Sequence, residues 1–128
     1  MSQALQIHGL LLVTASILFF SQLLLKQGVR SSGPLSLTSL SQIGDLIQRI
    51  VSSPLLLLGY GLSGVSALLW LLVLSRYELS YATPIFSAIY YVLLLLGSAT
   101  ILHEEVVPLR WIGAVVVIIG IALISQSR

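Results

Sequence analysis

The chain has no cysteine, which excludes a disulfide, a thiolate metal site and a catalytic thiol. It has little charge: only 8% of its 128 residues are Asp, Glu, Lys or Arg, against about 25% in a soluble domain. Its charged side chains are Lys26, Arg30, Asp45, Arg49, Arg76, Glu78, Glu104, Glu105, Arg110 and Arg128, all at the ends of long apolar runs or between them. No carboxylate lies inside such a run. A carrier that exchanges a cation for protons needs a buried acid to bind both, and this chain has nowhere to hold one. The net charge of +2 is small and scattered, so no basic patch marks a nucleic-acid partner.

What the chain has instead is apolar length. Hydrophobic residues make up 57% of it, and its mean hydropathy is +1.06. A helix needs about 20 apolar residues to cross a bilayer core of about 30 Å. Four segments qualify: residues 5–25, 54–74, 81–102 and 106–125, the last with its apolar heart at 111–124. The runs are continuous, with no period of two, so they read as helices and not as barrel strands. The first run is longer than a signal-peptide core, follows no basic side chain and precedes no small-x-small site before Lys26, so it reads as a span. The expected fold is an all-α membrane protein: one four-helix domain over residues 1–128, with the lipid bilayer as its surroundings.

The connections are unequal. Residues 26–53 form a long linker, whereas 75–80 and 103–108 are short. Short connections make neighbouring helices antiparallel and adjacent, which predicts two hairpins joined by the long linker. Within the linker, Ser31-Ser32-Gly33-Pro34 is a turn signal. Leu37, Leu40, Ile43, Leu46, Ile47, Ile50 and Val51 then recur at helical spacing on one face. Ser39 and Gln42 fit a capping box, and Asp45 and Arg49 an i,i+4 pair. This predicts a short amphipathic helix over 39–52 in the interface plane. It should break at Ser52-Ser53-Pro54, because the residue before proline is pushed out of helical geometry; the alternative is a continuation of the second span kinked at Pro54. Lys26, Arg30, Arg49 and Arg110 fall on one side of the membrane, Arg76 and Arg128 on the other, which places the long linker in the cytoplasm.

Several residues are candidates for chemistry. Gly59-Tyr60-Gly61-Leu62-Ser63-Gly64 spells a dinucleotide fingerprint, but that motif needs a preceding strand, and inside a span glycines serve helix packing. Gly59, Ser63, Ser66 and Trp70 share one face, a packing face or a substrate wall; Trp70, deep for an interfacial belt, is the candidate for a wall. Gln22 and Lys26 are i,i+4 neighbours. They read either as a snorkelling surface pair or as an anion clamp, with lysine as a point charge on a phosphate and glutamine as a donor. Tyr81, Pro84, Ser87 (or Ala88) and Tyr91 follow helical spacing and could face one cavity, with an interfacial anchor as the other reading of Tyr81. His103-Glu104-Glu105 lacks metal-binding spacing, so no metal is expected. Glu104 is expected to pair with a base such as Arg110, or to cap a gate. Gly113 and Gly120 are two turns apart on one face of the last span, a packing stripe that suits a contact between subunits.

The run Trp70-Leu-Leu-Val-Leu74, then Ala82-x-Pro84, His103-Glu104 and Pro108-x-x-Trp111-x-Gly113, together with Gln22-x-x-x-Lys26, resembles the small four-span branch of the drug/metabolite transporter superfamily (EamA-like, small multidrug resistance-like). Within it the pattern is most similar to the subunits that flip undecaprenyl-phosphate-linked aminoarabinose across the bacterial inner membrane. The resemblance implies a multi-pass inner-membrane flippase subunit with no cofactor and no catalysis. It would work as a homodimer, or as a heterodimer with a paralogous subunit, because four short helices do not enclose a large substrate. Lys26 would hold the phosphate, Gln22 and the tyrosines would meet the sugar, and Trp70 would form a wall. The linker is longer than in compact relatives. Leu18 stands where the related drug exporters carry a glutamate, which argues against a proton-coupled drug exporter, the first alternative. The second alternative is a non-transporting partner of a membrane glycolipid enzyme.

Overall fold

A computed structural model describes residues 2–36 and 38–127, and all of its regular structure is helical. The elements are α1 (Gln3–Ser32), α2 (Gln42–Ser52), α3 (Pro54–Leu74), α4 (Leu79–Thr100) and α5 (Pro108–Gln126). Of these, α1, α3, α4 and α5 are long and apolar enough to cross a membrane, so the chain is a multi-pass membrane protein. Leu37, the first residue of the expected amphipathic face, and Arg128 lie outside the described residues.

Local chemistry sets the helix ends. Pro54 and Pro108 open α3 and α5, where a missing N–H costs nothing and the fixed φ suits a first turn. Ser53 before Pro54 is extended (φ −98°, ψ 115°), so α2 and α3 are separate helices as expected. Gly33 takes a left-handed φ of 81° and ends α1, with Pro34 behind it. At 30 residues, α1 is about 45 Å long, well beyond a core of about 30 Å. The first helix therefore does not stop at residue 25, and its last two turns carry Lys26 and Arg30.

The start of α2 departs from the capping-box expectation. Residues 39–41 form a turn, and the helix begins at Gln42. The Gln42 side-chain oxygen accepts from the Thr38 backbone N–H at 2.9 Å, and the Ser39 hydroxyl pairs with that of Ser41. The glutamine thus satisfies a donor one residue further back than a capping box requires. Arg49 reaches for the Ser32 carbonyl on α1 at 3.5 Å and forms no ion pair with Asp45.

The hairpin expectation fails for α3 and α4. They are joined by the shortest connection between two spans, yet they touch little, and only near that connection. The long α1 packs against both, most extensively against α3, while α5 rests mainly on α4. Small residues explain the choice. A Cβ on Gly59 would stand 2.7 Å from Leu25 Cδ2, and one on Gly28 2.7 Å from Leu56 Cδ2, so the two backbones approach as only glycine allows. Ser21 donates to the Gly59 carbonyl at 2.7 Å and shares a hydrogen bond with Ser63, and Ser66 donates to the Thr14 carbonyl at 3.1 Å. The polar stripe of α3 is therefore a packing seam with α1. A Cβ at Gly61 or Gly64 would meet nothing within 4 Å.

The core sits at the end carrying the short α3–α4 connection. Ile7, Leu11, Val73, Ala82 and Ile85 are buried there, with Trp70, Tyr77, Tyr81 and Phe86 packed around them. Trp70 and Phe86 bring α3 and α4 together, ring centroids 4.9 Å apart. Towards the other end, α3 and α4 each pack on α1 instead, through Gly59 against Leu25 and Gly97 against Phe19. This leaves a wedge between them whose floor is α1.

Candidate functional site

A groove of about 360 Å³ lies between the C-terminal part of α1 and that of α4. Its floor includes Gln22 and Lys26, one turn apart on α1; its far wall includes Leu94 and Ser98 of α4; Glu104 closes the mouth. Phe19, Leu23, Leu25 and Val29 make the remaining α1 surface apolar. A mainly apolar hollow with a few polar groups converging at one end is the ordinary form of a ligand site.

The mouth is an ion cluster. Lys26 Nζ and Arg30 Nη2 both lie 3.2 Å from the same Glu104 oxygen, Oε1. Arg30 Nη1 also donates to the Leu102 carbonyl at 3.4 Å. Glu104 therefore pairs with two bases of α1 and not with Arg110. The reason lies in the 101–107 segment: His103 adopts a left-handed φ of 53°, and the Glu104 N–H reaches back to the Ser98 carbonyl at 2.9 Å. That turn aims the carboxylate at α1, whereas Arg110 is already inside α5. Histidine is among the residues that tolerate this backbone region. The Lys26 ammonium, hydrogen-bonded to Glu104, holds its carboxyl below the usual carboxylate range, with the Arg30 charge adding to the effect. Two cations facing one carboxylate leave the mouth net positive. All three side chains are a third to a half exposed, so the pairing contributes little to stability and exchanges readily with another anion.

The remaining expected site residues are dispersed. Trp70 and Tyr81 pack around the core at the opposite end, and Trp70 does not line the groove. Pro84 borders a shallow depression with Glu78, Leu79, Ser80 and Thr83. Ser87 is exposed and Tyr91 half-buried, neither lining the groove. Pro84, Ser87, Tyr91, Leu94 and Ser98 nevertheless recur at spacings of three and four, one continuous stripe along α4. Gly113 and Gly120 are exposed, with nothing within 4 Å of either Cβ position. Arg30 and Ser98 escaped the sequence reading. The signal for Arg30 was present: Gln22, Lys26 and Arg30 are successive i,i+4 positions, but the first span was ended at residue 25.

A curated relative from Aeromonas salmonicida (strain A449), named "Probable 4-amino-4-deoxy-L-arabinose-phosphoundecaprenol flippase subunit ArnE", is 40% identical over 73 residues, covering 57% of this chain and 63% of the relative. A Salmonella typhi protein of the same name is 33% identical over 100 residues, covering 69% of this chain and 89% of that protein. The chain belongs to the ArnE family. A further ArnE relative, from Aeromonas hydrophila, is 38% identical over 73 residues, again 63% of its length. The chain thus spans somewhat under two thirds of the Aeromonas ArnE proteins and most of the Salmonella ones. No family model matches the chain, and no solved structure matches it. The names of these ArnE relatives describe a probable flippase subunit, a transport role and not an enzymatic one.

Proposed function

We propose that this chain is one subunit of an inner-membrane flippase that moves a sugar linked through phosphate to a polyprenyl chain, with the long linker on the cytoplasmic side. One observation carries the reading: Lys26 and Arg30 converge on a single exposed carboxylate at the mouth of a largely apolar groove. Glu104 stands where the phosphate would bind. An anion with more than one acceptor oxygen can meet the lysine and the fork of the arginine together, which a single carboxylate oxygen does less well. Substrate phosphate would displace Glu104, and Gln22 and Ser98, next along the groove, would hydrogen-bond the sugar. Beyond them, the α4 stripe of Tyr91, Ser87 and Pro84 leads toward the depression at the other end, a path for the head while the hydrocarbon chain stays in lipid. No bond is made or broken.

One copy leaves this path open along its side, and α5 buries only Ala114 against the rest of the chain. A second subunit, identical or paralogous, would supply the missing wall, with Gly113 and Gly120 allowing close approach. The ArnE relatives' description as subunits supports this arrangement.

The test is binding of undecaprenyl phosphate to the purified protein in nanodiscs. Lys26→Gln should weaken it about tenfold, a difference of about 1.4 kcal/mol, while Arg76→Gln at the other end should not. Equal effects of the two substitutions would reduce Lys26 to a snorkelling surface charge.

A further inference from the structure

A second hollow lies beside the charged groove, on the other side of a ridge formed by Leu25 and Val29 of α1. It is a cleft of about 310 Å³ bounded by Leu25 and Val29 of α1, Leu46 and Ile50 of α2, and Leu56 and Tyr60 of α3. Its lining carries no charge. Leu25 and Val29 border both hollows, so the two are separated by a ridge one side chain wide. Lys26 is the neighbour of Leu25 in sequence and lines the groove on the other side. α2 roofs the cleft and is itself anchored: Arg49 reaches Ser32 at the end of α1. Its outward flank, Ile43, Ile47 and Val51, remains exposed, as does Leu40 in the turn before it.

We infer that this cleft holds the stretch of hydrocarbon chain nearest the phosphate of the lipid whose head occupies the Lys26 groove; the inference rests on the head-group reading above. An apolar cleft within the bilayer gains nothing from the hydrophobic effect, because lipid tails are as apolar as leucine, so packing alone favours no particular chain. Tethering decides the occupant. A phosphate held at Lys26 fixes the first carbons of its own chain beside the Leu25–Val29 ridge, which raises their effective concentration at the cleft far above that of any free lipid. The substrate would straddle the Leu25–Val29 ridge, head in the groove and chain under α2. The interfacial helix is then a chain clamp that keeps the lipid in register while its head moves.

The experiment places a photo-crosslinking amino acid at Tyr60, in the cleft, or at Leu68, an exposed position of the same helix outside it. The full chain is held in phosphatidylethanolamine–phosphatidylglycerol nanodiscs with dilute tritiated undecaprenyl phosphate. Capture at position 60 should exceed capture at 68 about tenfold, and the added substitution Leu46→Trp, which fills the cleft, should abolish the excess. The comparison of 60 with 68 stands even if Leu46→Trp disturbs folding. Equal capture at the two positions overturns the inference, as does preferential capture of bulk phospholipid or of a second copy of the chain at position 60. Lys26→Gln separates the two claims. If it lowers retained undecaprenyl phosphate by native mass spectrometry while the lipid is captured equally at 60 and 68 with Lys26 intact, the head site stands and the cleft falls. If the excess at 60 survives Lys26→Gln although retention falls, the chain is recognised without the head and the tethering inference falls while the head site stands; if retention is unchanged, the head site falls.

Discussion

Replacing Gly59 by alanine should loosen the α1–α3 seam far more than the same change at Gly61 or Gly64. A Cβ at Gly59 would lie 2.7 Å from both Cγ and Cδ2 of Leu25 and 3.2 Å from its backbone nitrogen. Ordinary carbon–carbon contact needs at least about 3.5 Å. The branch point of Leu25 and its backbone both lie in the way, so a rotamer change alone does not relieve the clash, and the two helices must separate. Overpacking of this kind costs about 1–3 kcal/mol. Separation also stretches the hydrogen bonds from Ser21 to Gly59 and from Ser66 to Thr14, each worth about 0.6 kcal/mol in a membrane. Together these give about 2–4 kcal/mol for Gly59→Ala. At Gly61 and Gly64 a Cβ meets nothing within 4 Å, and alanine there should be neutral or gain up to about 1 kcal/mol from helix propensity. The assay is reversible SDS unfolding of the protein in bicelles, followed by circular dichroism. Equal destabilisation at positions 59 and 61 would refute the seam as the source of α1–α3 packing. Because Leu25 is also part of the ridge between groove and cleft, Gly59→Ala should impair lipid binding as well.

Glu104→Gln should strengthen undecaprenyl phosphate binding several-fold by removing the carboxylate that competes for Lys26 and Arg30; unchanged or weaker binding in a nanodisc titration would show that Glu104 does not occupy the anion site. Since the Glu104 pKa is lowered, its ion cluster is fully present above the ordinary carboxylate value of about 4.3 and is lost only as pH falls through the lowered value. Binding measured from pH 5.5 to 8.5 should therefore carry no titration from Glu104, in wild type or in Glu104→Gln, and a titration lost only in the mutant would identify Glu104 as a coupling acid. Arg30→Ala should weaken binding less than Lys26→Ala, because Lys26 lines the groove and Arg30 stands at its rim; the two dissociation constants decide it. His103→Val, which forces a β-branched residue into a left-handed backbone, should cost about 1–2 kcal/mol and weaken the Glu104 contact, whereas His103→Gly should be tolerated; bicelle unfolding of both variants checks the pair.

The four spans, the separate helix before Pro54 and the absence of an intramembrane acid were legible in the sequence, because each follows from local chemistry: apolar run length, the proline constraint on Ser53, and the positions of ten charges. The packing reading of the dinucleotide-like glycines holds for Gly59, which carries the contact, and not for Gly61 and Gly64, which make none. The partner of each helix was not legible. Short connections suggested that α3 and α4 would pair, but a loop fixes only where two helix ends lie. The glycine and serine contacts of α1 settled the rest, and they act between residues as far apart as Ser21 and Ser63. The ion cluster was hidden for a similar reason. Glu104 is six residues from Arg110 in sequence, yet one residue with positive φ turns it toward Lys26 and Arg30, more than seventy positions away. Sequence alone determined which segments enter the membrane, since each segment's transfer depends on its own composition. Tertiary structure alone decided which charges meet and where a groove opens, since both depend on how closely separate helices can approach.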